Sequence, residues 1–180
     1  QEFNNMLEDP NTIVVDFRNH YESEVGHFEG AITPDVENFR ESLPIINEQL
    51  QDYKEDKNLL MYCTGGIRCE VLSVLMKNRG FQEVYQIKGG IVRYGNKYGD
   101  KSHWEGSLFT FDDRLAIDFS NEVKMLGTCK RCEAKSKSFR NCLNDNCHQL
   151  VLLCDECYAN HKGLACKHDR ETKNTYELVG

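Results

Sequence analysis

Apolar residues along this chain gather into short runs separated by glycine, proline and charge, and the spacing within each run assigns its element. The β-branched run TIVVDF (12–17) lies between Asp9-Pro10-Asn11 and a polar stretch, which predicts a buried strand. NLLMYC (58–63) and EVYQI (83–87) predict two more. Between them, CEVLSVLMKNRG carries Val71, Leu72, Val74, Leu75 and Met76 at helical spacing, and Gly80 stops the run as a helix C-cap does. ENFRESLPIINEQLQDY (37–53) predicts a helix interrupted at Pro44, whose ring removes a backbone donor. Strands alternating with helices give an α/β fold, a parallel sheet flanked by helices, with ligand sites at the carboxyl ends of strands. Cys63 stands at such an end.

After Gly95 the periodicity breaks into GNKYGDKSHWEGSLFTFDDR, a glycine- and charge-rich connector that holds the only tryptophan, Trp104, and a short predicted strand SLFTFD. The chain therefore divides into a domain over residues 1–98, a connector packing on it over 99–122, and a Cys/His-rich tail over 123–180. Trp104, Phe109 and Phe111 are read as plugging the seam between domain and tail rather than stacking on a base, and Arg93 and Tyr94 as an exposed helix face. There is no internal repeat, and no run approaches the roughly 18 apolar residues of a membrane span. The reading is a soluble protein with no membrane partner. The chain opens on glutamine rather than methionine, so a preceding domain is expected.

Charge narrows the partners only a little. The 180 residues carry a formal net charge of −7; residues 1–120 hold 12 basic and 21 acidic side chains, a net of −9, and residues 121–180 hold 10 and 8, a net of +2. Neither part declares a nucleic-acid partner by charge alone. Lys124, Lys130, Arg131, Lys135, Lys137 and Arg140 form either a basic edge or a solvated surface.

Seven of the nine cysteines crowd the tail in the pattern C-x2-C-x9-C-x4-C-x6-C-x2-C-x8-C-x-H. Closely spaced pairs favour metal in a reducing cytoplasm over disulfides, and thiolates two apart on a tight knuckle can share one zinc. Interleaved pairing assigns Cys129, Cys132, Cys154 and Cys157 to one structural zinc and Cys142, Cys147, Cys166 and His168 to a second, with His148 and His161 as rivals for the last place. The other reading keeps one zinc and leaves the remaining cysteines as spectators. A segment with LVLL as its only long apolar run needs metal to fold.

The second chemical feature is the loop Cys63-Thr64-Gly65-Gly66-Ile67-Arg68 between strand and helix. Two glycines permit positive torsions that turn N–H groups inward, and the following helix adds its own unpaired N–H groups. Such a cradle binds anions, so it lowers the pKa of Cys63 and makes an exposed, nucleophilic thiolate, with Arg68 adding positive charge. Cys69 is read as packing rather than as a resolving thiol.

This loop resembles the C-x-x-G-x-R active-site pattern of the rhodanese superfamily at Cys63, Gly66 and Arg68. Upstream, Asp16, Arg18 and Glu22 resemble its D-x-R-x-x-x-E signature, and Gly26, His27, Gly30 and Ala31 its G-H-x-x-G-A; downstream, Gly89 and Gly90 match its glycine pair. The resemblance spans residues 1 to about 98 and implies a rhodanese-like sheet. Asp16 and Arg18 are read as a buried structural ion pair supporting the loop, Glu22 as part of that network, and His27 as closing a turn.

CTGGIRCE, GHFEGAITPDVENFRE and WEGSLFTFDDRLAID are similar, more narrowly, to the bacterial tRNA uridine hydroxylase family, in which a rhodanese domain follows an N-terminal α/β domain. That likeness implies a tRNA-modifying enzyme that hydroxylates the wobble uridine at C5 with molecular oxygen as co-substrate, Cys63 as the catalytic thiol and Arg68 steadying negative charge. The alternative is a sulfurtransferase carrying a persulfide on Cys63; a third reading is a non-catalytic, zinc-stabilised interaction module.

Overall fold

The computed structural model describes residues 1–99, 103–145, 147, 149–161, 163, 165–166 and 176–177. In chain order the first part folds as α1 (Glu2–Leu7), β1 (Thr12–Asp16), α2 (His20–Glu24), β2 (Gly26–Phe28), α3 (Phe39–Gln49), β3 (Asn58–Tyr62), α4 (Ile67–Asn78), β4 (Val84–Gln86) and α5 (Gly90–Tyr98). β1, β3 and β4 form a parallel sheet in that order, in the register Val14↔Leu60 and Leu60↔Tyr85.

The period-two alternation of these strands decides which layer each side chain enters. Val15, Leu59 and Met61 face Ile46, Leu50, Leu72 and Met76, contributed by α3, the residue capping it, and α4. Val14, Leu60 and Tyr62 point to the opposite layer, against Phe3, Met6, Ile91 and Tyr94 of α1 and α5. Helices thus cover both faces of the sheet, which is the expected α/β architecture.

Three local expectations change. α4 begins at Ile67, two residues before Cys69, because Gly66 takes the left-handed N-cap conformation that frees the helix to start there. α3 runs straight through Pro44 and ends at Gln49. Ile46 and Leu50 are 0% and 2% exposed, and their burial at roughly 2 kcal/mol each offsets the roughly 3 kcal/mol cost of an interior proline. Tyr94 is buried rather than exposed, packed edge-on against Phe28, while its neighbour Arg93 faces solvent.

Beyond the sheet come β5 (Trp104–Gly106), β6 (Leu108–Phe109), β7 (Ala116–Ile117), β8 (Phe139–Asn141), β9 (Leu150–Leu152), α6 (Asp155–His161), β10 (Ala165–Cys166) and β11 (Tyr176–Glu177). β5 pairs antiparallel with β2, placing Trp104 opposite Phe28, so the tryptophan joins the sheet core instead of the seam. The seam is filled by Val25, Phe109, Phe139 and Leu152. Among the described residues no helix is long and apolar enough to cross a membrane.

Candidate functional site

β3 delivers Cys63 to its carboxyl end, and the chain then turns back on itself within three residues to enter α4. Gly66 makes the turn at φ +92, a conformation that side chains resist, and its N–H donates to the Cys63 sulfur at 3.2 Å. The main-chain N–H groups of Arg68 and Cys69, in the first turn of α4, converge on the same sulfur. The Cys69 thiol is the largest influence lowering the Cys63 pKa, which falls from 9.0 to about 6 against the opposing effect of burial. Hydrogen bonding to Cys63, followed by burial, drives the Cys69 pKa far upward. The pair therefore holds one thiolate and one thiol across the neutral range.

The cradle is as the loop sequence suggests, but the exposure is not. Cys63 is 1% exposed. The N-terminus of α5 closes over the loop: Ile91 N donates to Cys63 O at 3.1 Å and Val92 N to Thr64 O at 3.2 Å. Gly90 permits this approach, since a Cβ there would meet Thr64 O at 2.3 Å. The second glycine of the downstream pair is thus a packing requirement of the thiol loop.

Arg68 holds no direct post beside the sulfur. Its guanidinium forks onto Glu22, with Nη1–Oε2 at 2.8 Å and Nη2–Oε1 at 3.0 Å. Glu22, fully buried on α2, also accepts from Thr64 Oγ1 at 3.0 Å and from Asn19 N at 3.0 Å. Its carboxylate is saturated, as a buried charge must be. Arg18 is equally complete: it binds Asp16 through Nε and Nη2, reaches the carbonyls of Glu22 and Gly26, and lies 5.1 Å from the Trp104 ring centroid. Burial works against its charge, but Asp16 outweighs that and holds it protonated. Glu22 links the two arginines; sequence reasoning placed it in the Asp16–Arg18 network but missed its hold on Arg68 and Thr64. The Asn19-x-x-Glu22 capping-box spacing was the available signal.

His27 sits elsewhere. Its Nδ1 is held by Ser23 O at 2.9 Å, and it lines a cavity of about 520 Å³ with His20, Glu24, Asp35 and Lys130, in which no loop residue takes part. Phe111 is 65% exposed, with the Arg68 guanidinium 5.6 Å from its centroid, which puts an accessible aromatic face next to the loop instead of in the seam.

In the tail, Cys129, Cys132, Cys154 and Cys157 bring their sulfurs within 4.8 Å of one another. Cys132 and Cys154 are 3.6 Å apart, near the roughly 3.8 Å edge of a thiolate tetrahedron with bonds of about 2.3 Å and far beyond a disulfide length. Donated amides hold Cys129 near a pKa of about 6 in spite of burial. This donor set fits one metal ion. Of the second predicted set, Cys142 and Cys147 pack against the same cluster. His168, the side chain of Cys166 and the rival His148 lie outside the described residues; His161 ends α6. Five of the six basic candidates of the tail, all but Arg131, are engaged within the fold. Lys124, Lys130, Lys137 and Arg140 are paired with Glu105, Glu24, Asp118 and Asp155, and Lys135 donates to Leu126 O.

Comparison with known proteins adds lineage to this geometry. Residues 1–97 match the family described as Rhodanese-like domain, and residues 105–170 that described as Rhodanase C-terminal. The chain is 52% identical over 162 residues to a tRNA uridine(34) hydroxylase of Corynebacterium urealyticum, covering 89% of this chain and 54% of that protein. It is 47% identical over 182 residues to the protein of that name from Corynebacterium jeikeium, covering 100% and 59%. With that of an Arthrobacter species it shares 47% over 154 residues, covering 86% and 52%. The chain spans a little over half the length of these relatives.

Proposed function

Given that the chain belongs to the rhodanese-like domain family, we propose that it carries the catalytic thiol of an enzyme that hydroxylates the wobble uridine of tRNA at C5, with molecular oxygen as co-substrate. The observation that carries the reading is the Cys63 sulfur, ringed by amides and poised as a thiolate with a pKa of about 6. The names of the relatives, at 46–52% identity, supply the substrate. A thiolate adding to C6 of uracil makes C5 nucleophilic toward an electrophile such as oxygen. A uridine in an anticodon loop is already single-stranded, so presenting it to a buried sulfur costs little unstacking, and the exposed face of Phe111 offers a stacking partner.

The neighbouring side chains have distinct parts. Arg68 and Thr64, fixed by Glu22, hold the loop so that its N–H groups stay on the sulfur; Asp16 and Arg18 anchor the strand end below. His27 supports α2 from the far side through its bond to Ser23 O. In the tail, Cys129, Cys132, Cys154 and Cys157 would hold a structural zinc, their four thiolates leaving it no part in the chemistry. The reading places the protein in the cytoplasm, where tRNA and reduced thiols meet.

The test is Cys63→Ala in the full-length protein, with nucleoside mass spectrometry of tRNA from cells lacking the native copy. The expected result is loss of 5-hydroxyuridine made by this enzyme to background. Undiminished 5-hydroxyuridine would sink the role of Cys63, and thiosulfate-dependent thiocyanate formation with unaltered tRNA would move the protein to sulfur transfer.

A further inference from the structure

We propose that Cys69 is the second thiol of the reaction, and that Cys63 and Cys69 together supply the two electrons that hydroxylation of uracil by molecular oxygen consumes. The inference rests on the hydroxylase reading above and names its reductant. Cys69 is the third residue of α4, wholly buried in the same core cluster as Cys63, just past the turn whose Gly66 N–H binds the Cys63 sulfur, and its thiol is the largest influence on the acidity of Cys63. A cysteine that merely packs has no need of a sulfur partner. Here the two free thiols lie inside a single core cluster with Val15, Phe17 and Leu72. One thiolate beside one protonated thiol is the state from which a dithiol reacts.

The chemistry balances. Oxygen adds at C5 of the Cys63–uracil adduct as a hydroperoxide, and expulsion of Cys63 with loss of the C5 proton restores the ring. The released thiolate takes the distal oxygen, which breaks the O–O bond and leaves the C5 hydroxyl. The resulting Cys63 sulfenic acid condenses with the Cys69 thiol, forming the S–S bond and releasing water. In sum, uracil C5–H, one O2 and two thiols give C5–OH, one water and one disulfide; the three hydrogens end in the hydroxyl and the water. A small-molecule thiol then resets the pair by exchange.

The sequence provides a convenient readout. Tryptic cleavage after Lys57, Arg68 and Lys77 leaves Cys63 on peptide 58–68 and Cys69 on peptide 69–77, which only a disulfide keeps joined. Full-length, metal-loaded protein is reduced, freed of reductant under argon and mixed with unmodified tRNA in air-saturated buffer. The expected outcome is about one 5-hydroxyuridine per chain together with a matching yield of the joined peptides. Cys69→Ser keeps a hydrogen-bond donor to Cys63 but can form no S–S bond. Its product without reductant should fall at least about tenfold while the Cys63 titration stays near that of the wild type; Cys69→Ala should shift that titration upward as well. Equal product from Cys69→Ser without reductant, or wild-type product with no joined peptide, overturns the proposal.

A second arm omits tRNA and adds hydrogen peroxide, which should close the same disulfide in the wild type and over-oxidise Cys63 in Cys69→Ser. The two arms separate the failures. If no 5-hydroxyuridine forms even with excess dithiothreitol, the hydroxylase reading has failed, and the peroxide arm alone decides whether the thiols are a redox pair. Product with dithiothreitol but no disulfide in either arm removes the pairing and leaves the hydroxylase reading standing.

Discussion

At Cys63 the acidity comes from donors around the sulfur: the Cys69 thiol first, then the main-chain N–H groups of Cys69, Gly66 and Arg68. The sign of the pH dependence follows. Because these donors favour the charged form, the thiolate persists down to a pKa of about 6, and protonation below that removes the nucleophile. The alkylation rate of Cys63, followed by iodoacetamide labelling and peptide mapping, should therefore rise with pH through about 6 and level off before an ordinary thiol begins to titrate. A midpoint at the free-thiol value would remove the cradle. The residue types of this site were legible: a cysteine at a strand end, two glycines, an arginine in the first turn of a helix. Its wiring was not. Nothing in the spacing says that the Arg68 guanidinium turns to Glu22 while its backbone serves the sulfur, since that depends on where α2 lies in space.

Among the elements, the thiol loop and α5 meet backbone to backbone. Gly90 sits at φ +65, and a Cβ there would lie 2.3 Å from Thr64 O and 2.7 Å from Cys63 O, both rigid backbone atoms. Gly90→Ala adds the left-handed penalty to the clash, so thermal unfolding should report a loss of about 3 kcal/mol, with a raised Cys63 pKa as the loop is pushed outward. Gly65→Ala is the control: nothing lies within 4 Å of its added Cβ, so stability should change by less than about 0.5 kcal/mol. Equal melting temperatures for the two variants would refute this account of the glycine pair. The hydrophobic pattern identified β1, β3 and α4, because β-branched runs and helical spacing are local. It misjudged Pro44 and Tyr94, whose settings depend on core contacts distant in sequence.

For the whole molecule, the tail is joined to the domain by the apolar seam around Val25 and Phe109 and by the Lys130–Glu24 and Lys137–Asp118 pairs. Its own core consists largely of the clustered cysteines with Val151 and Leu153, so a metal held by the four-sulfur set would supply much of its stability. Treatment with a strong chelator should release zinc and expose Cys129, Cys132, Cys154 and Cys157 to thiol reagents. Hydrogen exchange should then accelerate through β8, β9 and α6 while β1 and β3 keep their protection. Uniform loss of protection, or none, would contradict a separately stabilised tail. The cysteine spacing announced the pairs that converge in the four-sulfur cluster; the direction of the tail's lysines was invisible, because Lys124, Lys130 and Lys137 find their acids across the fold. Those connections give α2 two grips. Glu22 holds Thr64 and Arg68, while Glu24 and the adjoining Val25 hold the tail. Those two grips lie within five residues of one helix, so the short element that braces the amides around the sulfur is also the one on which the tail is seated.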